Sequence, residues 1–153
     1  MINLELKVPP PVVAVLVALA MRGLWRLGPV LDLPATFRHV AAFMLAATGI
    51  ATAVSGVIGF RRARTTLRPE NPEKTSALVT GGIYRITRNP MYLGLVLVLT
   101  AWALALAAPW TLLGPAFFAL YIQRFQIRPE ERVLAAKFGG AYARYCDEVR
   151  RWI

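Results

Sequence analysis

From residue 89 to residue 123 the chain carries no Asp, Glu, Lys or Arg. At 1.5 Å per residue, a single helix of that length would be far longer than the ~30 Å hydrocarbon core of a bilayer. Ala108-Pro109 offers a break, so the run predicts two apolar helices joined by a turn at residues 107–110. A second uncharged run, residues 40–60, has the length of one further membrane span.

The composition also favours a bilayer as the solvent. Hydrophobic residues make up 57% of the 153 residues and charged residues 17%, whereas soluble domains have roughly 25% charged residues. Cys146 is the single cysteine, which excludes an intrachain disulfide. We therefore predict an all-α integral membrane bundle, one domain over residues 1–153. Its four spans lie at about residues 8–26, 39–60, 91–107 and 110–126, and a C-terminal amphipathic helix follows on the cytoplasmic surface.

The distribution of basic residues predicts the orientation. The net charge is +10. The connection 61–90 holds seven Lys and Arg against two Glu, the tail from Arg124 onward holds seven more, and the hairpin tip holds none. The positive-inside rule then places the connection, the tail and both termini in the cytoplasm of a multi-pass inner-membrane protein. Charges arranged between apolar runs argue against a nucleic-acid partner.

Small residues on the second span have two interpretations. Gly49, Ser55, Gly56 and Gly59 lie among alanines in residues 39–60. Such residues let helices approach closely in lipid. The same low-bulk surface is also a possible entry path for a lipophilic molecule.

Two polar segments flank the hairpin, at residues 81–94 and from 128 onward. Because a hairpin returns to its starting side, Arg88, Asn89 and Tyr92 are expected near Glu130 and Glu131 at the cytoplasmic mouth. Ionisable groups at the edge of a span are costly and are candidates for function. Taken singly, each has a simpler interpretation, such as a flanking charge, a helix cap or a first-turn carboxylate.

The same segments resemble a known family. Arg88-Asn89-Pro90-Met91-Tyr92-Leu93-Gly94, an apolar hairpin and then a stretch beginning Pro129-Glu130-Glu131 are similar to the isoprenylcysteine carboxyl methyltransferase and phospholipid methyltransferase superfamily. Asn89 stands where the eukaryotic prenylcysteine enzymes have His. This difference bears on the prenylcysteine substrate and leaves the methyltransferase activity as an expectation.

The resemblance implies S-adenosylmethionine as the methyl donor, held by segments 81–94 and 128–153, and a lipophilic or amphipathic acceptor that enters from the lipid. That acceptor is an isoprenylcysteine-like carboxylate, a lipid amine or a small thiol. No metal is expected. The implied catalytic residues are Arg88 and Glu131. The implied cofactor-binding residues are Tyr84, Asn89, Pro90, Tyr92, Gly94, Glu130, Leu134, Tyr142 and Tyr145.

The residue types leave individual roles open. Arg88 could bind the carboxylate of the donor or of the acceptor through its two-pronged guanidinium. Glu130 or Glu131 could bind the donor's amino group or ribose, or balance Arg88. Two other functions compete: a basic membrane protein without activity that binds anionic lipid or a partner, and a relative of the nicotinamide-dependent membrane sterol reductases. The oligomeric state is left open.

Overall fold

The protein is all-helical in a computed structural model that describes residues 5–63 and 77–153. The helices are α1 (Pro10–Leu24), α2 (Ala35–Arg62), α3 (Pro90–Leu106), α4 (Leu113–Ile122), α5 (Arg128–Phe138) and α6 (Gly140–Glu148). Short 3-10 turns lie at Trp25–Leu27, Gly82–Arg85 and Pro109–Leu112. A π-helical segment, Gln123–Ile127, joins α4 to α5 without a break.

Within residues 5–63 and 77–153, two helical stretches are long and apolar enough to cross a membrane. They are Pro10–Leu27 and Ala35–Arg62, and α3 is a shorter apolar helix. Large apolar side chains on the outside of α1 and α2 face away from the protein, among them Leu19 at 63% and Phe43 at 71% exposure. An outward apolar surface of this extent fits a bilayer better than water.

The hairpin forms close to its predicted position, with a longer turn than expected. α3 ends at Leu106, and Ala107 adopts a left-handed conformation with φ of 52°. Pro109–Leu112 then forms a 3-10 turn, so α4 begins at Leu113 and not at residue 110. Proline at the first position of that turn cannot donate to a preceding carbonyl, which favours a new helical start there.

The core lies where α1, α3 and α4 meet. Phe118, Ile122 and Ile127 are fully buried and belong to one apolar cluster with Leu99 of α3 and Val13 of α1. Trp102 of α3 donates a hydrogen bond from Nε1 to the carbonyl of Ala18, 3.1 Å away. These contacts hold α1 against the hairpin.

α2 packs on α3 through glycines that face each other. A Cβ on Gly49 would lie 2.7 Å from the carbonyl oxygen of Gly94, and a Cβ on Gly94 would lie 2.5 Å from that of Gly49. A Cβ on Gly56 would meet Met91 at 2.9 Å, and one on Gly59 would meet the Tyr84 ring at 3.0 Å. The small residues therefore serve helix packing, and the entry path considered for this surface is filled by side chains.

Gly49→Ala is expected to lower thermal stability, because the new methyl group has no space against the α3 backbone. Strain of this kind typically costs ~1–3 kcal/mol. Gly23→Ala is the matched control, since nothing lies within 4 Å of its Cβ position; helix propensity then makes that change neutral or stabilising. Thermal unfolding of both variants in detergent measures the difference. Equal melting temperatures would contradict the close α2–α3 contact.

The C-terminal tail, for which the sequence predicts an amphipathic helix broken or kinked at Gly139-Gly140, forms two short helices. Gly139, at φ of 50°, ends α5, and α6 starts at the next residue. With ψ of −125°, this conformation lies outside the left-handed helical region that Ala107 adopts, and only glycine takes it readily. The break turns α6 so that Tyr142 and Tyr145 pack with Tyr84 and Val149 in a second apolar cluster. Residues 64–76 of the basic connection lie outside the described residues. The prediction that this part of the connection is cytoplasmic therefore stays a prediction.

Candidate active site

Three chain segments converge at one end of the bundle. The first is the turn Gly82–Arg85 and the residues that lead into α3. The second is the first turn of α5. The third is the chain after α6, Val149–Trp152, which we call the C-terminal strap. The predicted meeting of the segments at 81–94 and 128–132 is thus present in the structure, and the strap joins them.

Glu131 lies between two guanidinium groups. Arg151 donates from Nε to Oε1 at 3.0 Å and from Nη2 to Oε2 at 2.8 Å. Arg88 places Nη2 at 3.5 Å from Oε1 of the same carboxylate. The side chains of Arg88 and Glu131 are only 14% and 19% exposed. A two-pronged arginine–carboxylate pair fixes the carboxylate's position as well as balancing its charge.

Arg88 has unused hydrogen-bonding capacity. Its Nη1 contacts Sγ of Cys146, and its Nε is buried without a hydrogen-bond partner among residues 5–63 and 77–153. Buried guanidinium N–H groups are normally satisfied. The Arg88 Nε–H is therefore a candidate donor to an acceptor atom of a ligand.

Glu130 is in a different environment from its neighbour. It accepts a hydrogen bond of 2.5 Å from the Tyr92 hydroxyl. Burial raises the pKa of Glu130 to about 8, the negative charge of Glu131 adds to that effect, and the Tyr92 hydrogen bond opposes it. The carboxyl group is therefore mostly protonated at pH 7 and ionises within the physiological range.

The C-terminal strap is tied to the start of α3 by its backbone. Arg88 N–H donates to the carbonyl of Arg150 at 3.1 Å. The Asn89 side chain donates from Nδ2 to the carbonyl of Arg151 at 2.9 Å, and the Thr87 hydroxyl lies 3.4 Å from the same oxygen. Asn89 thus positions the strap through its amide. Trp152 closes the end of the strap by donating from Nε1 to Oε1 of Gln123 at 3.1 Å.

Three tyrosines lie next to the group formed by Arg88, Glu131 and Arg151. The Tyr145 hydroxyl donates to the carbonyl of Tyr84 at 2.7 Å, and the Tyr84 hydroxyl reaches the carbonyl of Gly56 at 3.4 Å. Burial raises the pKa of Tyr84, Tyr142 and Tyr145, so all three keep their protons. Leu134 packs against this cluster from α5.

Two of the predicted cofactor-binding residues lie away from the group formed by Arg88, Glu131 and Arg151. Gly94 is buried one turn into α3, against Gly49 and Ala53 of α2. Pro90 is buried at the first position of α3, beside Gly56. Both contribute to the α2–α3 contact, and their role in cofactor binding stays a prediction.

Thr87, Arg151 and Trp152 lie within the predicted donor-binding segments 81–94 and 128–153, but none of them was predicted individually as a site residue. No periodicity marks a strap that follows the last helix, so periodicity did not distinguish Arg151 from the other basic residues of the tail. One signal was available: an aromatic residue and two arginines directly after an amphipathic helix suit a segment that folds back onto a polar site.

A family model described as phospholipid methyltransferase matches residues 37–141. The chain belongs to that family. The match covers more than half of the chain and contains α2, α3, α4 and α5, with the Arg88–Glu131 pair inside it. An uncharacterized protein from Haemophilus influenzae is 49% identical over 63 residues, which are 41% of this chain and the whole of that protein.

The phospholipid methyltransferase match covers the hairpin and its polar mouth and leaves three elements wholly or mostly outside. α1 precedes residue 37, and most of α6 and the C-terminal strap follow residue 141. Arg151, which binds both carboxylate oxygens of Glu131, therefore lies in a part of the chain that the family match does not include. Membership indicates a membrane-associated methyltransferase in general terms.

Proposed function

We propose that this protein is an integral membrane methyltransferase that uses S-adenosylmethionine and acts on a lipophilic or amphipathic acceptor. The observation that carries the proposal is the partly buried group formed by Arg88, Glu131 and Arg151, in which the buried Arg88 Nε has no partner among the described residues. It lies at the mouth of an apolar hairpin in a chain of a methyltransferase family.

The residues present fit the polar parts of the donor. Arg88 Nε would bind the donor's carboxylate, since it is buried and lacks a partner in the described part of the chain. Glu131, which lies between Arg88 and Arg151, would face its ammonium group and ribose hydroxyls. Tyr142, on the wall of the site, would contact the adenine or the sulfonium, because aromatic faces attract cations.

When bound, the donor supplies a methyl group on a positively charged sulfur, which keeps the electron pair of the broken S–C bond as the acceptor atom forms its bond to carbon. The protein has to align the two partners and exclude water. An acceptor that carries a proton must also lose it. Glu130 is suited to take that proton, because a base whose pKa lies near the working pH is the most effective.

The proposal is tested by calorimetric titration of the purified protein in detergent with S-adenosylhomocysteine and, separately, with adenosine. We expect S-adenosylhomocysteine to bind and adenosine to bind at least tenfold more weakly, since adenosine has no carboxylate for Arg88. Absence of binding by S-adenosylhomocysteine would contradict the proposal. Binding to anionic vesicles in its place would favour a lipid-binding protein without activity.

We further propose that the chain crosses the membrane four times with both termini in the cytoplasm. α1 and α2 are long enough for two of these spans. α3 and the continuous helix formed by α4 and the π-helical segment would supply the other two. A protease-cleavable tag after residue 153 should be cut only from the cytoplasmic side, and one inserted at residues 108–109 only from the opposite side. The reverse pattern would contradict the orientation.

A further inference from the structure

An apolar groove runs along the outside of the bundle between α1 and α4. Its volume is about 530 Å³, within the range of small-molecule sites. It extends from Val8 to Leu24 along α1, and its walls include Val13, Val17, Met21, Leu113, Phe117 and Tyr121. Leu16 and Phe117, which border it, are more than half exposed, so in a membrane the groove opens to lipid.

An unsatisfied polar group lies behind one end of the groove, covered by Val8 and not itself part of the groove wall. Val8, which lines that end, accepts a hydrogen bond of 2.7 Å from Nε2 of Gln126 through its carbonyl. Gln126 is completely buried, and its Oε1 has no partner among the described residues. A buried carbonyl oxygen without a donor is rare in proteins, and a ligand donor is one way to satisfy it.

The same end of the groove lies close to the proposed proton acceptor. Gln126 belongs to the π-helical segment Gln123–Ile127, and segments of this type occur frequently at functional sites. Glu130 follows four residues later, about one helical turn along the chain, and binds Tyr92. A molecule whose chain fills the groove would thus bring its polar head towards Glu130.

We propose that the α1–α4 groove binds the methyl acceptor, with one apolar chain along the groove and a head group that donates an N–H or O–H hydrogen bond to Oε1 of Gln126. This assignment rests on the proposed methyltransferase function. It places acceptor entry on the α1–α4 face and not on α2, whose glycine surface is filled by α3 and Tyr84.

Two cationic amphiphiles with the same chain test the head-group contact. Hexadecylamine can donate an N–H hydrogen bond, and hexadecyltrimethylammonium cannot. In phosphatidylcholine nanodiscs we expect the amine to bind about tenfold more tightly. Gln126→Met, which keeps the volume and removes the carbonyl, should abolish that preference. The contact with Gln126 would be overturned if Gln126→Met kept the same preference for the amine as the unaltered protein, or if the unaltered protein showed no preference.

The groove itself is tested with Ala20→Phe, which fills it from its exposed side, and with Ala51→Phe on the exposed, lipid-facing side of α2 as the matched control. Ala20→Phe should weaken binding of both amphiphiles, and a diazirine on the hexadecylamine chain should label α1 and α4 only when residue 20 is Ala. Unchanged binding and labelling would overturn the groove. S-Adenosylhomocysteine titrated into the same samples separates the two proposals. If S-adenosylhomocysteine does not bind, the methyltransferase function is contradicted. If it binds, but the amine preference and the labelling of α1 and α4 are absent in the unaltered protein, only the acceptor site is contradicted.

Discussion

Glu131→Gln is expected to reduce donor affinity at least a hundredfold. The change removes the anion shared by Arg88 and Arg151 and leaves two guanidinium groups close together with no carboxylate between them. Loss of one partner from a buried pair costs ~3–5 kcal/mol. The cost is smaller here, because Arg151 is one-third exposed and water screens its charge. Titration with S-adenosylhomocysteine measures the effect.

Glu148→Gln is the control for this variant. Glu148 is the last residue of α6 and is exposed, so the same chemical change should leave donor affinity within twofold. Similar losses in both variants would indicate a diffuse charge effect and contradict a site at Glu131. Thermal unfolding separates loss of the site from loss of the fold.

Glu130→Gln is expected to lower turnover ~10²–10⁴-fold while donor affinity changes little, because it removes a base and keeps the shape of the protonated side chain. In the unaltered protein, kcat/KM should rise with pH around a midpoint near 8, the pKa to which burial raises Glu130. Glu130→Gln should lose that rise. A variant with full turnover would contradict the role of Glu130.

Tyr92→Phe tests the same group without removing it. The Tyr92 hydrogen bond lowers the pKa of Glu130, so its loss should move the midpoint of the pH profile to higher pH. An unchanged midpoint would show that the titrating group is the acceptor or another residue. Tyr92→Phe and Glu130→Gln together therefore distinguish a base on the protein from a proton on the substrate.

The raised pKa of Glu130 also predicts that its contribution to the free energy of unfolding falls as the pH rises. The folded protein holds the Glu130 proton up to about pH 8, whereas the unfolded chain releases it near its ordinary value of 4.5. The contribution of Glu130 to the free energy of unfolding is therefore fully present below pH 4.5 and is lost as the pH rises to about 8. Glu130→Gln should remove this part of the pH dependence.

The apolar runs and breakers of the sequence predicted the helices well. Charge-free residues 89–123 with Pro109 in their middle are enough to require a hairpin, and a hairpin is enough to bring Arg88 near Glu131. The α2 glycines were harder to interpret, because small residues look the same in sequence whether they face a helix or an open path. Only the position of Gly94 opposite Gly49 separates the two.

The π-helical segment and the C-terminal strap were not predicted, for different reasons. A π turn widens the helix at Gln123–Ile127, and residue types alone do not distinguish it from an α-helical turn. The strap has no regular secondary structure and is held by contacts between residues far apart in the chain, 20 positions for Arg151 with Glu131 and 62 positions for Asn89 with Arg151. Long-range pairs of this kind leave no local pattern in one sequence.

Transfer of a labelled methyl group measures the central claim most directly. The purified protein, reconstituted with a membrane lipid extract, is incubated with S-adenosylmethionine that carries a radiolabelled methyl group, and the organic phase is counted. We predict label in the organic phase with the unaltered protein and with Glu148→Gln, and background counts with Glu131→Gln. Background counts with all three proteins, together with no binding of S-adenosylhomocysteine, would contradict a membrane methyltransferase.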